Sequence, residues 1–228
     1  DLAQKNIDIT KSIIPKIVQY APDSIYIIVS NPVDILTYQF CKYSGLPENQ
    51  IIGSGTILDT ARLRTRLSEY FNISQQNVHA YVFGEHGDTS FVPWSCATIS
   101  NIAIDKYMQC LRDGDDTLRP VLDHDEIETY IKKSGAKIIA RKGATFYAVA
   151  ISVCHICRCI FSGADTTMTV STMMHGEYGV DDVCLSSLCI VGKDGLNGKS
   201  VAPLTADEEA SFRRSADYLR SVIDSVTF

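Results

Sequence analysis

The run Gly84-Glu85-His86-Gly87-Asp88 places an imidazole between glycines. Glycines on both sides let a bulky substrate or cofactor come close to the ring. An imidazole titrates near neutrality, which suits it to accept and return protons. The same spacing also fits a polar loop histidine with no ligand. Upstream, Asp59 and Arg62 are three residues apart in a segment of helical periodicity, so they share one helix face. The pair reads either as a surface ion pair, which stabilises little, or as a carboxylate and a guanidinium offered to a ligand. Position favours the second reading. The helix follows Gly53-Ser54-Gly55 at the carboxyl end of a strand, and α/β proteins bind ligands at that edge. Asn31 ends an earlier strand ahead of Pro32, where it either points at a ligand or supplies turn chemistry.

Two other patterns invite chemistry and are set aside. Gly53-Ser54-Gly55-Thr56-Ile57-Leu58 resembles a dinucleotide fingerprint, but Leu58 replaces the third glycine and no acidic residue ends a second strand about 20 positions on. Cys154-His155-Ile156-Cys157-Arg158-Cys159 suggests zinc, yet it lies in an apolar helical stretch without a partner pair at finger or ribbon spacing. No metal is expected.

These residues need a frame. The first twenty residues repeat apolar positions at near-helical spacing, and Pro22-Asp23 marks a turn. Ser24–Ser30 is a short apolar run that reads as a buried parallel strand, stopped by Asn31-Pro32. A helix over Val33–Ser44 ends at Gly45, a strand over Gln50–Gly53 follows, and a helix runs from Leu58 to Tyr70. This alternation is that of an α/β fold. Beyond it, Val78–Phe83, Val92–Ile99 and Val183–Val191 read as strands, with Asp194-Gly195 as a hairpin turn. Long helices are expected over about 125–162 and 205–226, the second opened by the capping-box pattern Thr205-Ala206-Asp207-Glu208. The polar segment Leu111–Leu122 reads as an exposed insertion. The expected boundary lies near residues 53–56, with parallel α/β structure before it and mixed α+β structure after it.

Composition narrows the class. A chain of 228 residues with 45% hydrophobic content is long enough to bury a sizeable core. No run of about 18 apolar residues exists to span a membrane as a helix. The net charge of −6, with scattered Lys and Arg, argues against a nucleic-acid partner. Most of the eight cysteines lie in apolar runs, where the thiol acts as a small hydrophobe, so reduced cysteines and a cytoplasmic setting are expected.

Together, Asn31-Pro32-Val33-Asp34, Gly53-Ser54-Gly55-Thr56 with Leu58-Asp59 and Ala61-Arg62, and Gly84-Glu85-His86-Gly87-Asp88 resemble the L-lactate and malate dehydrogenase family, in the family's order and along almost the whole chain. Ser171-Thr172-Met173 and Leu204-Thr205 agree with it. The resemblance implies an oxidoreductase that moves a hydride between NAD and a 2-hydroxy acid. His86 would be the proton-transfer group, steadied by Asp59, with Arg62 as the carboxylate clamp. Asn31 would bond the reacting oxygen and Thr145 would line the substrate pocket. Val29, Ser30, Asn31, Ser54 and Ser12 would contact the cofactor. The form of the histidine motif, Pro93-Trp94-Ser95 and Thr145 look more like the lactate than the malate branch. Malate dehydrogenase activity and a non-catalytic oligomerising chain of the same fold remain as alternatives. The resemblance further implies a homotetramer of glycolysis and fermentation, and a fructose 1,6-bisphosphate site at Arg64 and His79. It places Asp1 just beyond the family's mobile loop. On that footing residues 1–54 correspond to the rear half of a Rossmann-type parallel sheet domain and residues 55–228 to the substrate domain. The chain reads as N-terminally truncated and is expected, alone, to bind NAD weakly, turn over little and aggregate.

Overall fold

Helix α1 (Leu2–Tyr20) turns Ile7 and Ile14 inward and leaves Ile9 and Ile13 on its open side. The computed structural model describes residues 2–110 and 122–228, so the expected insertion at Leu111–Leu122 falls almost wholly outside the described residues. After α1 come β1 (Tyr26–Ile28), α2 (Val33–Tyr43), β2 (Ile51–Gly53) and α3 (Ile57–Phe71), an unbroken alternation. β1 and β2 pair in parallel in the register Tyr26↔Ile51 to Ile28↔Gly53. Both are short apolar strands that need cover on two faces. α1 and α2 cover one face, with Val33, Ile35, Leu36 and Phe40 buried in the same cluster as Ile28 and Ile51.

The remaining elements are β3 (Val78–His79), β4 (Thr98–Ile99), β5 (Ile102–Ala103), α4 (Ile104–Cys110), α5 (His124–Lys142), α6 (Tyr147–Ser162), β6 (Thr166–His175), β7 (Asp181–Gly192), β8 (Gly195–Lys199) and α7 (Ala206–Ser225). The main sheet has the order β1-β2-β6-β7-β8, and β3-β4-β5 form a separate small antiparallel sheet. β2 meets β6 antiparallel through Gly53↔Ser171. One sheet therefore runs from the parallel strands into the antiparallel hairpin across the expected boundary. A Cβ on Gly53 would come within 2.8 Å of the Ser171 side chain, so the junction depends on a bare backbone there.

Several expectations change. The single helix expected over about 125–162 is two helices, because Gly143 adopts a left-handed conformation (φ 79°) and caps α5. Only Val78 and His79 of Val78–Phe83 join a ladder. Farther along, the Val82 amide donates to Thr60 Oγ1 (2.9 Å) and its carbonyl accepts from Thr56 Oγ1 (2.5 Å), so hydroxyls of α3 and of the residue that caps it replace a neighbouring strand. Pro93 interrupts Val92–Ile99, and only Thr98–Ile99 pairs. The hairpin expected at Asp194-Gly195 turns over Lys193-Asp194, with Gly195 already opposite Gly192. β6 has no counterpart among the expected strands, and its central seven residues are all buried. The capping box on α7 forms, with Thr205 and Glu208 bonding reciprocally.

Candidate active site

α3 enters at the carboxyl ends of β1 and β2. Ser54 extends the ladder by donating its amide to the Ile28 carbonyl at 2.8 Å. Gly55 then takes a positive φ of 47°, and a Cβ there would lie 2.7 Å from the Ser171 amide nitrogen. Only glycine lets the chain turn this close to β6. The Thr56 amide donates to Ser186 Oγ (3.1 Å), which fixes the first turn of the helix. α3 buries Leu63, Leu67 and Phe71 on one side, each contributing about 1.5–3 kcal/mol of transfer free energy. That burial sets the rotation of the helix, with Asp59 one turn before Leu63 on the flank of the buried face and Arg62 turned to the cleft beside it.

The histidine loop is tied down from four directions. Phe83 and Phe91 close its base as an antiparallel bridge, and Gly84 exchanges two backbone bonds with Ser186 of β7. The Glu85 amide donates to Ser215 Oγ of α7 at 2.7 Å. The His86 amide donates to Asp34 Oδ2 of α2, also at 2.7 Å. So held, His86 Nδ1 is 2.6 Å from Asp59 Oδ2, while Asp59 Oδ1 accepts from an Arg62 guanidinium nitrogen at 2.9 Å. One buried carboxylate thus steadies both the imidazole and the guanidinium. Burial by itself would lower the His86 pKa. The hydrogen bond and charge of Asp59, with the charge of Asp34, outweigh burial and the repulsion of Arg62, so the net shift is upward. Burial pushes Asp34 up to about 6, against the Ser171 hydroxyl, the His86 amide and the His86 charge, which favour its ionised form. Burial also raises Glu85, opposed by its bonds from Thr89.

Asp59, Arg62 and His86 line a cleft of ≈ 380 Å³, within the usual size of small-molecule sites. Seven of the residues expected from sequence line it: Val29, Asn31, Ser54, Asp59, Arg62, His86 and Thr145. Thr145 does so from the break between α5 and α6 that Gly143 creates. Ser12 and Ser30 lie outside it. Ser12 is exposed on α1 and donates to the Ile9 carbonyl at 2.7 Å, and Ser30 is exposed at the end of the β1 segment. Arg64 and His79 also lie outside the cleft. Arg64 donates to the Ala80 carbonyl (3.0 Å) and lies 4.9 Å over the Tyr81 ring beside a second cavity, while His79 is exposed on β3. Sequence reasoning missed Lys132, Gly135 and Ile139 of α5 and Val149 and Ser152 of α6, which complete the cleft wall. Their spacing of three to four marks a helix face, but nothing local says that the face is turned to Arg62. In the sequence Asp34 stands out only as part of the motif after Asn31. Among the described residues no cluster of three or more His, Cys, Asp or Glu could hold a metal ion.

The arrangement can bind a small carboxylate on Arg62 while a proton moves on or off the ring nitrogen of His86 that Asp59 does not hold. Family models decide the kinship. The lactate/malate dehydrogenase NAD binding domain matches residues 1–53 and the lactate/malate dehydrogenase alpha/beta C-terminal domain matches residues 56–227. The chain belongs to the lactate/malate dehydrogenase family. It is 41% identical to an L-lactate dehydrogenase of Acetivibrio thermocellus over 226 residues, covering 99% of this chain and 70% of that protein. It is 44% identical to an L-lactate dehydrogenase of Thermoanaerobacterium saccharolyticum, covering 98% of this chain and 70% of that protein. A solved L-lactate dehydrogenase from Clostridium thermocellum superposes with a TM-score of 0.90 at 38% identity, covering all of this chain and 74% of that one.

Proposed function

We propose that the chain carries the catalytic centre of an NAD-dependent L-lactate dehydrogenase. The observation that carries the reading is Asp59 bridging His86 and Arg62 in one cleft. The nicotinamide end of NAD fits the opening at the carboxyl ends of β1 and β2, where Val29 and Val149 give apolar contact and Asn31 and Ser54 give polar contact. NAD, when bound, accepts the hydride from C2 of lactate and returns it to pyruvate. Arg62 offers a planar fork that binds the substrate carboxylate through two parallel bonds, which orients C2. His86, with Nδ1 committed to Asp59, uses Nε2 to take the hydroxyl proton from lactate or to give a proton to the pyruvate carbonyl oxygen. Asp59 fixes the tautomer and stabilises the imidazolium. Asn31 bonds the reacting oxygen and Thr145 bounds the substrate pocket. Ser12 and Ser30, proposed as cofactor contacts, have no place in the cleft itself.

Turnover of pyruvate against oxaloacetate with NADH tests the assignment. We expect pyruvate to be preferred, and a strong preference for oxaloacetate would replace the reading with malate dehydrogenase.

The same reading includes a homotetramer in the cytoplasm, working in glycolysis and fermentation and activated by fructose 1,6-bisphosphate. No helix among the described residues is long and apolar enough to cross a membrane. Exposed Tyr147, Ile151 and Phe161 on α6, at 78%, 69% and 87% exposure, support self-association because water-facing aromatic and aliphatic groups favour cover. Arg64 supports the bisphosphate site. It has no carboxylate partner among the described ion pairs, and its cavity also holds Gln75, Gln76 and His155. Arg64→Gln should abolish bisphosphate activation, measured as the ratio of rates with and without it. An unchanged ratio would remove this part of the reading.

A further inference from the structure

We infer that Asp34 is a positioning residue for proton transfer: its carboxylate locks the His86 loop to the strand–helix junction that carries Asn31. The inference rests on the dehydrogenase reading for its catalytic meaning and on geometry for its existence. Asp34 is 3% exposed, and its Oδ2 accepts the His86 amide at 2.7 Å across 52 positions of sequence. Its other oxygen, Oδ1, is buried with no hydrogen-bond partner, and so is Ser171 Oγ on β6. Ser171 is near enough to favour the ionised carboxylate but outside hydrogen-bonding geometry, so both atoms stay unpaired. A buried, half-satisfied carboxylate is costly to keep, and a cap on a loop needs no charge. A charge here does one thing a neutral group cannot: it acts on the imidazole of the residue whose amide it holds. The charge of Asp34 favours protonated His86 in addition to Asp59.

The connection joins two parts of the chain that the reaction must align. Asp34 lies in the first turn of α2, where the helix dipole favours an anion. Asn31, three residues earlier, lines the cleft. His86 comes from the segment beyond β3, matched by the other family model. Through the Asp34 bond, the group meeting the reacting oxygen and the group moving its proton share one rigid mount. The titratable groups facing Asp34 are His86 and Glu85 from the loop and the buried Cys184 thiol from β7.

Nuclear magnetic resonance on the whole chain tests this without turnover, by following His86 amide exchange and His86 ring titration in the parent, Asp34→Asn and Asp34→Ala. Asp34→Ala should speed His86 amide exchange by about tenfold or more, as loss of a charge-assisted hydrogen bond requires. Asp34→Asn keeps an acceptor oxygen, so exchange should stay within about threefold of the parent while the ring pKa falls measurably. Ring titration and amide exchange both unchanged in Asp34→Ala would overturn the inference, as would a lowered melting temperature with no change at His86. If Asp34→Ala does not fold, Asp34→Asn and the parent decide: the His86 ring pKa should be measurably lower in Asp34→Asn than in the parent. Equal ring pKa values in the two proteins refute the inference. In steady-state assays kcat for pyruvate should fall in Asp34→Ala while KM, governed by Arg62, holds. A parent that turns over neither lactate nor pyruvate defeats the dehydrogenase reading and leaves the His86 measurements to judge the lock separately.

Discussion

Replacing Asp59 with Asn keeps the shape of the side chain and removes the charge that His86 and Arg62 share. In the parent, burial drives the His86 pKa down and Asp59 is the largest influence driving it up. The 2.6 Å contact is a charge-assisted hydrogen bond in a site where Asp59 is 7% exposed. Such a bond contributes about 1.5–3 kcal/mol, equivalent to about 1–2 pKa units at 1.36 kcal/mol per unit. Without it, burial and Arg62 act on the imidazole with only Asp34 opposing. The ring pKa should then drop below 6.5, its ordinary value. At pH above the parent pKa, the imidazolium needed to reduce pyruvate should become about 10- to 100-fold scarcer, and kcat/KM should fall at least as far. The neutral amide can also trap the wrong ring tautomer, which deepens the loss. Steady-state kinetics from acid to alkaline pH, paired with ring titration, gives both numbers. The sign extends to stability. His86 has a raised folded pKa, so its contribution is complete below the unfolded pKa and disappears as pH rises through the folded one. The Asn variant should therefore lose most stability in acid and least in alkali. A variant with parental ring titration and kcat/KM within about twofold of the parent would refute the coupling argument.

Arg62→Lys exchanges a planar fork for a point charge, and kcat/KM for pyruvate should fall by about tenfold or more, equivalent to a lost charge-assisted bond; an unchanged value would mean that the carboxylate docks elsewhere. In the parent, pyruvate reduction should persist to pH above 6.5 and decline through the raised His86 pKa, while lactate oxidation rises through the same midpoint; opposite limbs would assign the proton to another group. Gly55→Ala places a Cβ 2.7 Å from the Ser171 amide nitrogen at a φ of 47°. It should destabilise the fold by more than the about 1–2 kcal/mol of left-handed strain alone, read as a lower unfolding midpoint, and a midpoint equal to the parent's would show that the β2–α3 turn is looser than described.

The early part of the chain was legible because its signals are local. Apolar runs gave β1 and β2, Gly45 ended α2, and the three-residue spacing put Asp59 and Arg62 on one face of α3. Glycine flanks singled out His86 in the same way. Where non-local partners replaced local ones, the reading failed. Val82 looks like strand by composition, but its polar groups belong to Thr56 and Thr60, and β6, covered on both faces, is a strand that the sequence reading does not include. The helix break at Gly143 needed one glycine in a left-handed conformation, which composition permits without requiring.

By itself the sequence determined which side chains could do chemistry and in what local setting: an imidazole in a glycine loop, a carboxylate and a guanidinium one helical turn apart. Only the tertiary structure decided that they meet, that Lys132 and Thr145 wall the same cleft, and that Asp34 holds the His86 amide from 52 positions away. The reason is range. Helix spacing and turn chemistry act over a few residues and leave a mark in the chain. The meeting of α2, α3 and the His86 loop is fixed by burying Leu63, Ile52 and Phe83 in separate clusters, whose positions no single segment encodes.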